Sequence, residues 1–323
     1  MEKRKNGDSF MQMLFTLLAL YLTCLLLRCP AQALHYASTG LLLWFQKMIP
    51  TLLPFMILSG IMIRMNLTER FVRFFHPLFH KIWGTSPNGS YVILTGMLCG
   101  FPMGARVIGQ LCQAGKLSEK EGSFLLSFCN NIGPVYFLSF VMSTLSLSGN
   151  YLPFLVMYGV PLCYGAVLYR MSLFRRHTAP VSSNVLRAAS HPGASVSASF
   201  LEAVDDSIVS GLIGIGKLGG YMVFFNLLNI MFLPFSALPE RFLAFCNCIL
   251  EITSGISLAG NREPLMILIL LPFGGFSCIA QTYSMIKETN LSISRYFLHK
   301  CAQTVITVLI YTAFCASSYN FLK

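Results

Sequence analysis

The sequence predicts an all-α protein that crosses a membrane several times. Of its 323 residues, 55% are hydrophobic and only 11% are charged, whereas soluble domains usually carry about a quarter charged residues. The apolar runs are ~20 residues long, as helical spans require, and do not alternate in the manner of barrel strands. Breaks rich in glycine and proline interrupt runs in both halves, a pattern typical of transporters built from inverted repeats.

The chain contains nine apolar segments. The first follows a short basic start that resembles a signal peptide, but the run is long and ends at Arg28-Cys29-Pro30, which is no small-residue cleavage site. We therefore expect residues 1–37 to hold a retained N-terminal transmembrane helix. The segments are 10–28, 38–63, 91–113, 122–145, 151–171, 206–235, 242–260, 264–286 and 297–319.

The net charge of +11 lies mostly in the loops between these segments, which indicates positive-inside topology rather than binding of nucleic acid. The polar, basic stretch 172–205 is the predicted cytoplasmic linker between two halves of the chain. If segment 91–113 crossed the membrane, this linker would lie outside. A re-entrant hairpin that turns at 100–104 keeps the linker inside, so we predict a hairpin at 91–113.

The same reasoning places 242–260 near the outer interface and predicts a second, outer hairpin at 264–286. Residues 38–171 and 206–323 then form two inverted repeats, with about six full spans plus two re-entrant hairpins in all. In this alignment Lys47-Met48-Ile49-Pro50 matches Lys217-Leu218-Gly219-Gly220, and Lys116-Leu117-Ser118 matches Asn290-Leu291-Ser292.

The stretch Gly100-Phe101-Pro102-Met103-Gly104-Ala105 predicts a helix start inside the membrane. Proline suits the first turn of a helix, and the free N–H groups and positive dipole end at that turn favour an anion. Arg106 lies in the same turn and adds a positive charge. The alternative is that Gly96, Gly100 and Gly104 form only a packing face between helices.

The stretch Asn130-Asn131-Ile132-Gly133-Pro134 breaks the following span. Pro134 removes a backbone hydrogen bond, and the two amides offer donors and acceptors to a cavity. The alternative is a proline kink in which the asparagines satisfy the freed carbonyl groups. The second half has a weaker glycine-rich copy at Gly274-Gly275-Phe276-Ser277, with Gln303 and Thr304 near the position that matches the asparagines.

Three ionisable residues are candidates for binding substrate or a coupling ion. Lys47 and Lys217 each lie inside an apolar run, so we predict that they flank a dianionic substrate; snorkelling or pairing with an acid is the alternative. Glu251, with Thr253 and Ser254, interrupts 242–260 and is a candidate for binding a proton or cation. Its alternative is a solvent-facing glutamate at the interface.

No Ser/His/Asp triad, P-loop or dinucleotide motif occurs in the sequence. We therefore expect neither an enzyme nor a bound cofactor. His76 and His80 have metal-like spacing, but Pro77 lies between them in an amphipathic stretch, and we expect no metal site.

Three motifs carry a resemblance: GFPMGAR at 100–106, AGKLSEKEGSFLLSFCNNIGP at 114–134 and LEITSGI at 250–256. Together they resemble the YlbJ-type sporulation integral membrane proteins of the wider gate, or nucleoside-recognition, domain group. The resemblance covers roughly 40–320 and implies two gate repeats whose hairpins surround a central site. The site residues that it implies are Gly100, Pro102, Gly104, Asn130, Asn131, Gly133, Glu251, Thr253 and Ser254. It also implies export of dipicolinic acid, a small aromatic dicarboxylate, from the mother cell across the outer forespore membrane.

These expectations combine into a secondary transporter of a small carboxylate anion, with dipicolinate as the leading substrate. Its partners are the lipid bilayer, the anion and a coupling proton or sodium ion. Its location is the bacterial cell membrane, or the outer forespore membrane if the host sporulates. The alternatives are a nucleoside or metal-ion permease of the same fold, a non-transporting sporulation membrane protein and, third, a membrane enzyme. The oligomeric state stays open.

Overall fold

The computed structural model describes residues 2–171, 200–235 and 238–317, which form seventeen α-helices and no β-strand. The predicted all-α class is therefore confirmed. The first half contains α1 (Glu2–Arg28), α2 (Pro30–Leu43), α3 (Ile49–Arg64), α4 (Thr68–Val72), α5 (His76–Trp83), α6 (Pro87–Cys99), α7 (Met103–Gln113), α8 (Glu119–Leu126), α9 (Pro134–Tyr136), α10 (Met142–Thr144) and α11 (Leu152–Arg170). The second contains α12 (Phe200–Leu227), α13 (Glu240–Leu250), α14 (Ile252–Ala259), α15 (Pro264–Leu270), α16 (Gly275–Ile286) and α17 (Ile293–Ser317).

Short non-α turns link several of these helices. π-helical turns at Trp44–Met48 and Phe137–Val141 join α2 to α3 and α9 to α10. 3-10 turns at Leu228–Phe235 and Gly260–Arg262 follow α12 and α14. The linked helices therefore run on as longer units.

Five stretches of the described residues are long and apolar enough to cross a membrane: Pro30–Arg64, Leu152–Arg170, Phe200–Phe235, Pro264–Ile286 and Ile293–Phe314. Two shorter apolar helices, Gln12–Arg28 and Pro134–Thr144, fall within the predicted spans 10–28 and 122–145. These helices support the predicted multi-pass membrane character.

Prolines set the start of many of these helices. A proline lacks the N–H group and has φ fixed near the helical value, so the first turn accepts it. Seven helices carry proline at their first or second position: α2, α3, α5, α6, α9, α11 and α15. At α6 the Ser86 hydroxyl also accepts a hydrogen bond from Gly89 N at 3.0 Å, a complete N-cap. Proline placement thus divides the apolar runs into short helices.

Two pairs of short helices fold back on themselves. α6 and α7 pack together around the turn at 100–102, where a Cβ atom on Gly96 would lie 3.2 Å from Gly104 Cα. α13 and α14 pack together around Glu251, where a Cβ atom on Gly255 would lie 2.6 Å from Cys248 Cα. Glycine permits this close approach of backbones. We call residues 100–102 the first tip and residues 250–251 the second tip.

The chain does not fold back within 264–286, which corrects the predicted second hairpin. α15 begins next to Glu263, which pairs with Arg241 at 2.7 Å. The loop after α16 lies at the other end of the bundle, where Asn290 Nδ2 donates to Glu119 Oε1 at 2.7 Å. Segment 264–286 therefore runs from one end of the bundle to the other, and the second folded pair is α13 with α14.

The end of the bundle near Asn290 also holds an ion pair between Arg64 and Asp206, at 2.7 Å. We call it the basic end. Loop 287–292 meets the start of α8, directly after loop 114–118, through Asn290 and Glu119. The predicted match of 116–118 with 290–292, as counterparts in oppositely oriented repeats, is therefore wrong.

The long helix α12 joins the two halves. Most of the predicted linker 172–205 lies outside the described residues, but its last residues already belong to α12, which begins at Phe200 rather than at 206. α12 packs along α2 and α3. Trp44 Nε1 donates to Ile215 O at 2.8 Å, so a side chain of the first half ties directly to the backbone of the second.

Candidate functional site

Two helical segments are interrupted, at residues 129–133 (the first interruption) and at residues 271–274 (the second interruption). Both interruptions and both tips meet at one cavity of about 280 Å³. We call it the central cavity. Its wall is largely apolar. The first half contributes Gly100 and Phe101 of the first tip, Gly133 of the first interruption and Tyr136 of α9. The second half contributes Glu251 of the second tip, Thr253 of α14 and Gln281 of α16.

The first tip rests directly on the first interruption. Gly100 has φ +87° and lies against the Gly133 backbone, where no Cβ atom fits. Gly96 and Gly104 flank the tip and both lie against the carbonyl oxygen of Cys129. Glycine is required here because the backbone needs positive φ at one position and close approach at three.

The second tip rests on the second interruption in a related way. Gly275 has φ +81°, and a Cβ atom there would lie 3.1 Å from Cys248 O and 3.2 Å from Leu250 O. Two backbone hydrogen bonds to Leu270 O, of 3.1 and 3.2 Å, keep the chain turning across 271–274. Gly275 therefore accommodates the second tip and Gly274 lies against the Phe101 ring of the first, and neither reverses the chain.

Glu251 is a buried carboxylate, only 1% exposed, that caps α14. Its Oε1 accepts a hydrogen bond from Thr253 N at 3.2 Å, and its Oε2 accepts one from Ser254 N at 2.7 Å. None of the three ion pairs among the described residues includes it. The charge of a carboxylate here is balanced by a helix N-terminus and not by a cation.

Asn130 connects the first interruption to three other elements. Its Oδ1 accepts a hydrogen bond from Ala105 N at 3.3 Å, in the first turn of α7. Its Nδ2 donates to Thr282 Oγ1 at 2.9 Å and to Tyr296 OH at 3.0 Å. The α7 N-terminus, predicted to face an anion, therefore receives a protein oxygen, and the Asn130 amide is fully used.

Asn131 holds Lys300, which is completely buried. Lys300 Nζ donates to Asn131 Oδ1 at 2.7 Å and to Gln303 Oε1 at 3.4 Å. The Lys300 ammonium is absent from the three ion pairs of the described chain. A buried lysine that lacks an acidic partner is costly, and inside a membrane it marks a functional site by default.

Phe101 separates Lys300 from the central cavity. The Lys300 Nζ lies 5.0 Å from the centroid of the Phe101 ring, within the range of a cation–π contact. The same ring lies 3.2 Å from the Cβ position of Gly274 and lines the cavity. The Phe101 ring of the first tip thus contacts the Lys300 ammonium, the second interruption and the central cavity.

Two more polar groups lie at the cavity wall. The Tyr136 hydroxyl is buried next to Thr253 and makes no hydrogen bond of ordinary geometry. Gln281 Nε2 donates to Ser277 Oγ at 3.0 Å, which leaves the Gln281 carbonyl oxygen available. The cavity therefore offers a few hydrogen-bonding groups in apolar surroundings, as small-molecule sites commonly do.

The structure divides the predicted site residues into three groups. Gly100, Gly133, Glu251 and Thr253 line the central cavity. Pro102, Gly104, Asn130, Asn131, Ser254, Gly274, Gly275 and Ser277 are buried around it, where they pack or hydrogen-bond to other protein groups. Arg106 and Lys217 line a second cavity nearer the basic end, and Lys47 is exposed and lines neither cavity. The two lysines predicted to flank one substrate are therefore not brought together.

Sequence reasoning missed Lys300, Phe101 and Gln281. Lys300 lies near the start of the run 297–319, where a lysine usually snorkels to the interface. The sequence does not single out Phe101, because the chain contains 27 phenylalanines. Gln281 lies four residues after Ser277, and this spacing places both residues on one face of α16. The sequence alone could have indicated this pair.

Comparison with known proteins agrees with the motifs. Residues 45–155, which include the first tip and the first interruption, match the Gate family, described as nucleoside recognition. The chain is 24% identical over 320 residues to the Sporulation integral membrane protein YlbJ of Bacillus subtilis (strain 168), which covers 88% of this chain and 78% of that protein. No solved structure matches the chain. The predicted resemblance to YlbJ-type sporulation integral membrane proteins, with a Gate match at 45–155, is therefore confirmed.

Proposed function

We propose that this protein is a secondary transporter, and not an enzyme, that moves a small carboxylate anion by alternating access. The observation that carries the proposal is the meeting of two tips and two interrupted segments at one cavity. Interrupted helices at membrane depth are where transporters bind their substrates. The relative's name refers to sporulation, and dipicolinate, moved from mother cell towards forespore across the outer forespore membrane, is the leading cargo.

We propose two inverted repeats in a revised register. The first runs through α2–α3, the folded pair α6–α7, the interrupted segment α8–α10 and α11. The second runs through α12, the folded pair α13–α14, the interrupted segment α15–α16 and α17. The two folded pairs are then re-entrant hairpins that enter from opposite faces, and with α1 the protein has seven crossing segments.

Charge distribution supports a cytoplasmic location for the basic end. The loops and helix ends there carry Arg64, Arg70, Arg73, Lys81, Lys116, Lys120, Arg170, Lys287 and Arg295, whereas those at the opposite end carry Arg28, Arg241 and Arg262. An excess of lysine and arginine marks the cytoplasmic side of a membrane protein. The first hairpin thus opens towards the cytoplasm and the second towards the far side.

Lys300 supports an anion as cargo. Its ammonium is buried behind Phe101 without an acidic partner, so a carboxylate that reached it would gain a charge-assisted hydrogen bond at low dielectric. The Phe101 ring offers a stacking surface for an aromatic dicarboxylate. A metal ion is less suited as cargo, because Glu251 is the only carboxylate among the described residues that line the cavity.

Glu251 is the proposed site of the coupling proton or sodium ion. It lies at the second tip, buried and away from any cation of the described ion pairs. Binding of a proton or sodium ion there neutralises a charge that is otherwise compensated by hydrogen bonds from Thr253 and Ser254. Closure of the second tip would then depend on whether Glu251 is neutral.

Uptake of radiolabelled dipicolinate into liposomes that contain the purified full chain tests the proposal. We expect saturable uptake that Lys300→Met lowers at least about tenfold, because the buried charge is lost. Lys81→Met, which removes an exposed lysine at the basic end, is the matched control and should transport normally. Normal uptake by Lys300→Met contradicts the role of Lys300.

The same liposomes separate the other functions. Uptake of uridine in place of dipicolinate would favour the nucleoside alternative suggested by the family description. Failure of a correctly inserted protein to move either compound would favour a non-transporting membrane protein.

A further inference from the structure

A second cavity, of about 350 Å³, shares three of its lining helices with the central one. α3, α12 and α16 line both cavities, and the second lies nearer the basic end on each of them, whereas α7 lines only the second. On α16, Gln281 lines the central cavity and Ser284 lines the second, which is a separation of about 4.5 Å along the helix axis. We call the second cavity the vestibule.

Arg106 is the main polar group of the vestibule. It is only 6% exposed, yet it lines the cavity. Its Nη2 donates to Ser210 Oγ at 2.9 Å, and its Nη1 lies against Gly214, where no Cβ atom fits. Its Nε is buried and has no hydrogen-bond partner. The guanidinium is thus held by a hydroxyl and a glycine while one donor is left unused.

Among the described residues, no acidic side chain forms an ion pair with Arg106. The two carboxylates that line the vestibule have other partners: Asp206 pairs with Arg64 at 2.7 Å, and Glu288 accepts a hydrogen bond from Gln113 at 3.4 Å. Arg106 is in none of the ion pairs of the described residues. A buried charge without a counter-charge is unfavourable, and an anion in the cavity would compensate it.

Two further residues suit an anion that bridges this site. Lys217 is an exposed lysine of α12 that lines the same cavity, on the other side of Gly214 from Ser210. Gln110, one turn along α7 from Arg106, has an Nε2 group that can donate to an anion, whereas its buried Oε1, an acceptor, has no hydrogen-bond partner. Arg106 and Lys217 together present two positive charges, the number that a dicarboxylate needs.

We propose that the vestibule is a second carboxylate-binding site, distinct from the central cavity, that holds the anion between Arg106 and Lys217 at the basic end of the transport path. The identity of the anion rests on the proposed function, but binding in the vestibule does not require that transport occurs. The guanidinium fork and the ammonium select a carboxylate over an uncharged solute.

Equilibrium dialysis of the purified full chain in detergent, with radiolabelled dipicolinate as the probe, tests this site. We expect Arg106→Gln to weaken binding by about tenfold or more, and Lys217→Gln by about threefold. The matched control is Arg73→Gln, which removes an exposed arginine that lines neither cavity and should bind as the wild type does. Binding by Arg106→Gln equal to that of the wild type overturns the proposal, as does absence of binding by the wild type.

A second variant tests the site if Arg106→Gln does not fold. If Arg106→Gln is not monodisperse in detergent, Ser210→Ala keeps the charge and removes only the hydroxyl that holds the guanidinium; we expect it to weaken binding about threefold. Unchanged binding in both Ser210→Ala and Lys217→Gln would reject the site.

Transport kinetics distinguish this proposal from the proposed function. Arg106→Gln should raise KM for dipicolinate about tenfold and change the maximal rate by less than about twofold, whereas Lys300→Met should lower the maximal rate. If the wild type binds dipicolinate through Arg106 but transports none, the transport proposal fails and the vestibule remains.

Discussion

The two tips meet the same structural demand with different residues. In the first half, the cap of the helix after the tip comes from the interruption, because Asn130 Oδ1 accepts the Ala105 N–H of α7. In the second half, the tip caps its own helix, because Glu251 accepts the Thr253 and Ser254 N–H groups of α14. Each buried helix start must have its N–H groups satisfied, but the acceptor sits on a different segment.

This difference would explain why the proposed repeat is faint in the sequence. It also gives the two tips different properties. The first tip carries no ionisable side chain and is fixed by glycine contacts with Cys129 and Gly133. The second carries a buried carboxylate whose protonation changes the strength of its own cap. The first tip is therefore suited to a steric role and the second to coupling.

The largest expected effect comes from filling the glycine contacts at either tip. Gly104→Ala and Gly255→Ala should each destabilise the protein by about 2–3 kcal/mol, because the new methyl group meets backbone atoms that cannot move cheaply. Gly216→Ala on α12, where a Cβ atom has no neighbour within 4 Å, is the control and should change stability by less than about 1 kcal/mol. Thermal unfolding in detergent measures both, and equal Tm values for all three variants would refute the close packing of the tips.

The next effect separates the two caps. Asn130→Ala removes one acceptor and two donors and leaves the buried Tyr296 and Thr282 hydroxyls without that partner, so we expect a loss of about 2 kcal/mol. Asn130→Asp keeps the oxygen that caps α7 and should recover part of the loss. Thermal unfolding that is unchanged in Asn130→Ala would show that the interruption does not support the first tip.

A smaller loss of stability is expected at the second tip. Glu251→Gln keeps one oxygen acceptor and should destabilise by about 1 kcal/mol, since one of two buried N–H groups loses its partner. Its informative effect is on coupling: uptake by this variant should no longer respond to an imposed pH or sodium gradient. Uptake that still follows the gradient in Glu251→Gln would move coupling away from the second tip.

The smallest effect is expected at the ion pair that joins the halves. Arg64 and Asp206 are 42% and 53% exposed, so Asp206→Asn should cost less than about 1 kcal/mol in unfolding experiments. A loss above about 2 kcal/mol would mean that the halves depend on this pair and not on the contact between α12 and α3.

The breaks at both tips were predictable from the sequence, but the folding of α13 against α14 was not, for physical reasons. Glycine and proline at 100–102 and the run Asn130-Asn131-Ile132-Gly133-Pro134 are local signals of backbone breaks, and the structure has breaks at both. Gly274 and Gly275 give an equally strong local signal, but whether a glycine pair reverses a chain or accepts a neighbouring backbone depends on the neighbour. Here the neighbour is the carbonyl group of Leu250, 25 residues earlier in the chain.

The burial of a lysine by residues distant in the sequence was also not predictable. Lys47, Lys217 and Lys300 all lie in apolar runs, and nothing local distinguishes the one that becomes fully buried. Burial of Lys300 depends on Asn131 and Phe101, which come from a separate half of the chain. The sequence thus predicts that a cation lies at membrane depth without predicting which one.

Membrane-impermeant labelling of single cysteines tests the central claim, that the two folded pairs enter from opposite faces, most directly. In a cysteine-free background, Ser118→Cys and Asn290→Cys should label from one face of intact vesicles, and Asn261→Cys, beside the opposite end of α14, should label only from the other. Labelling of all three from one face would contradict the inverted arrangement of the tips and with it the alternating-access account.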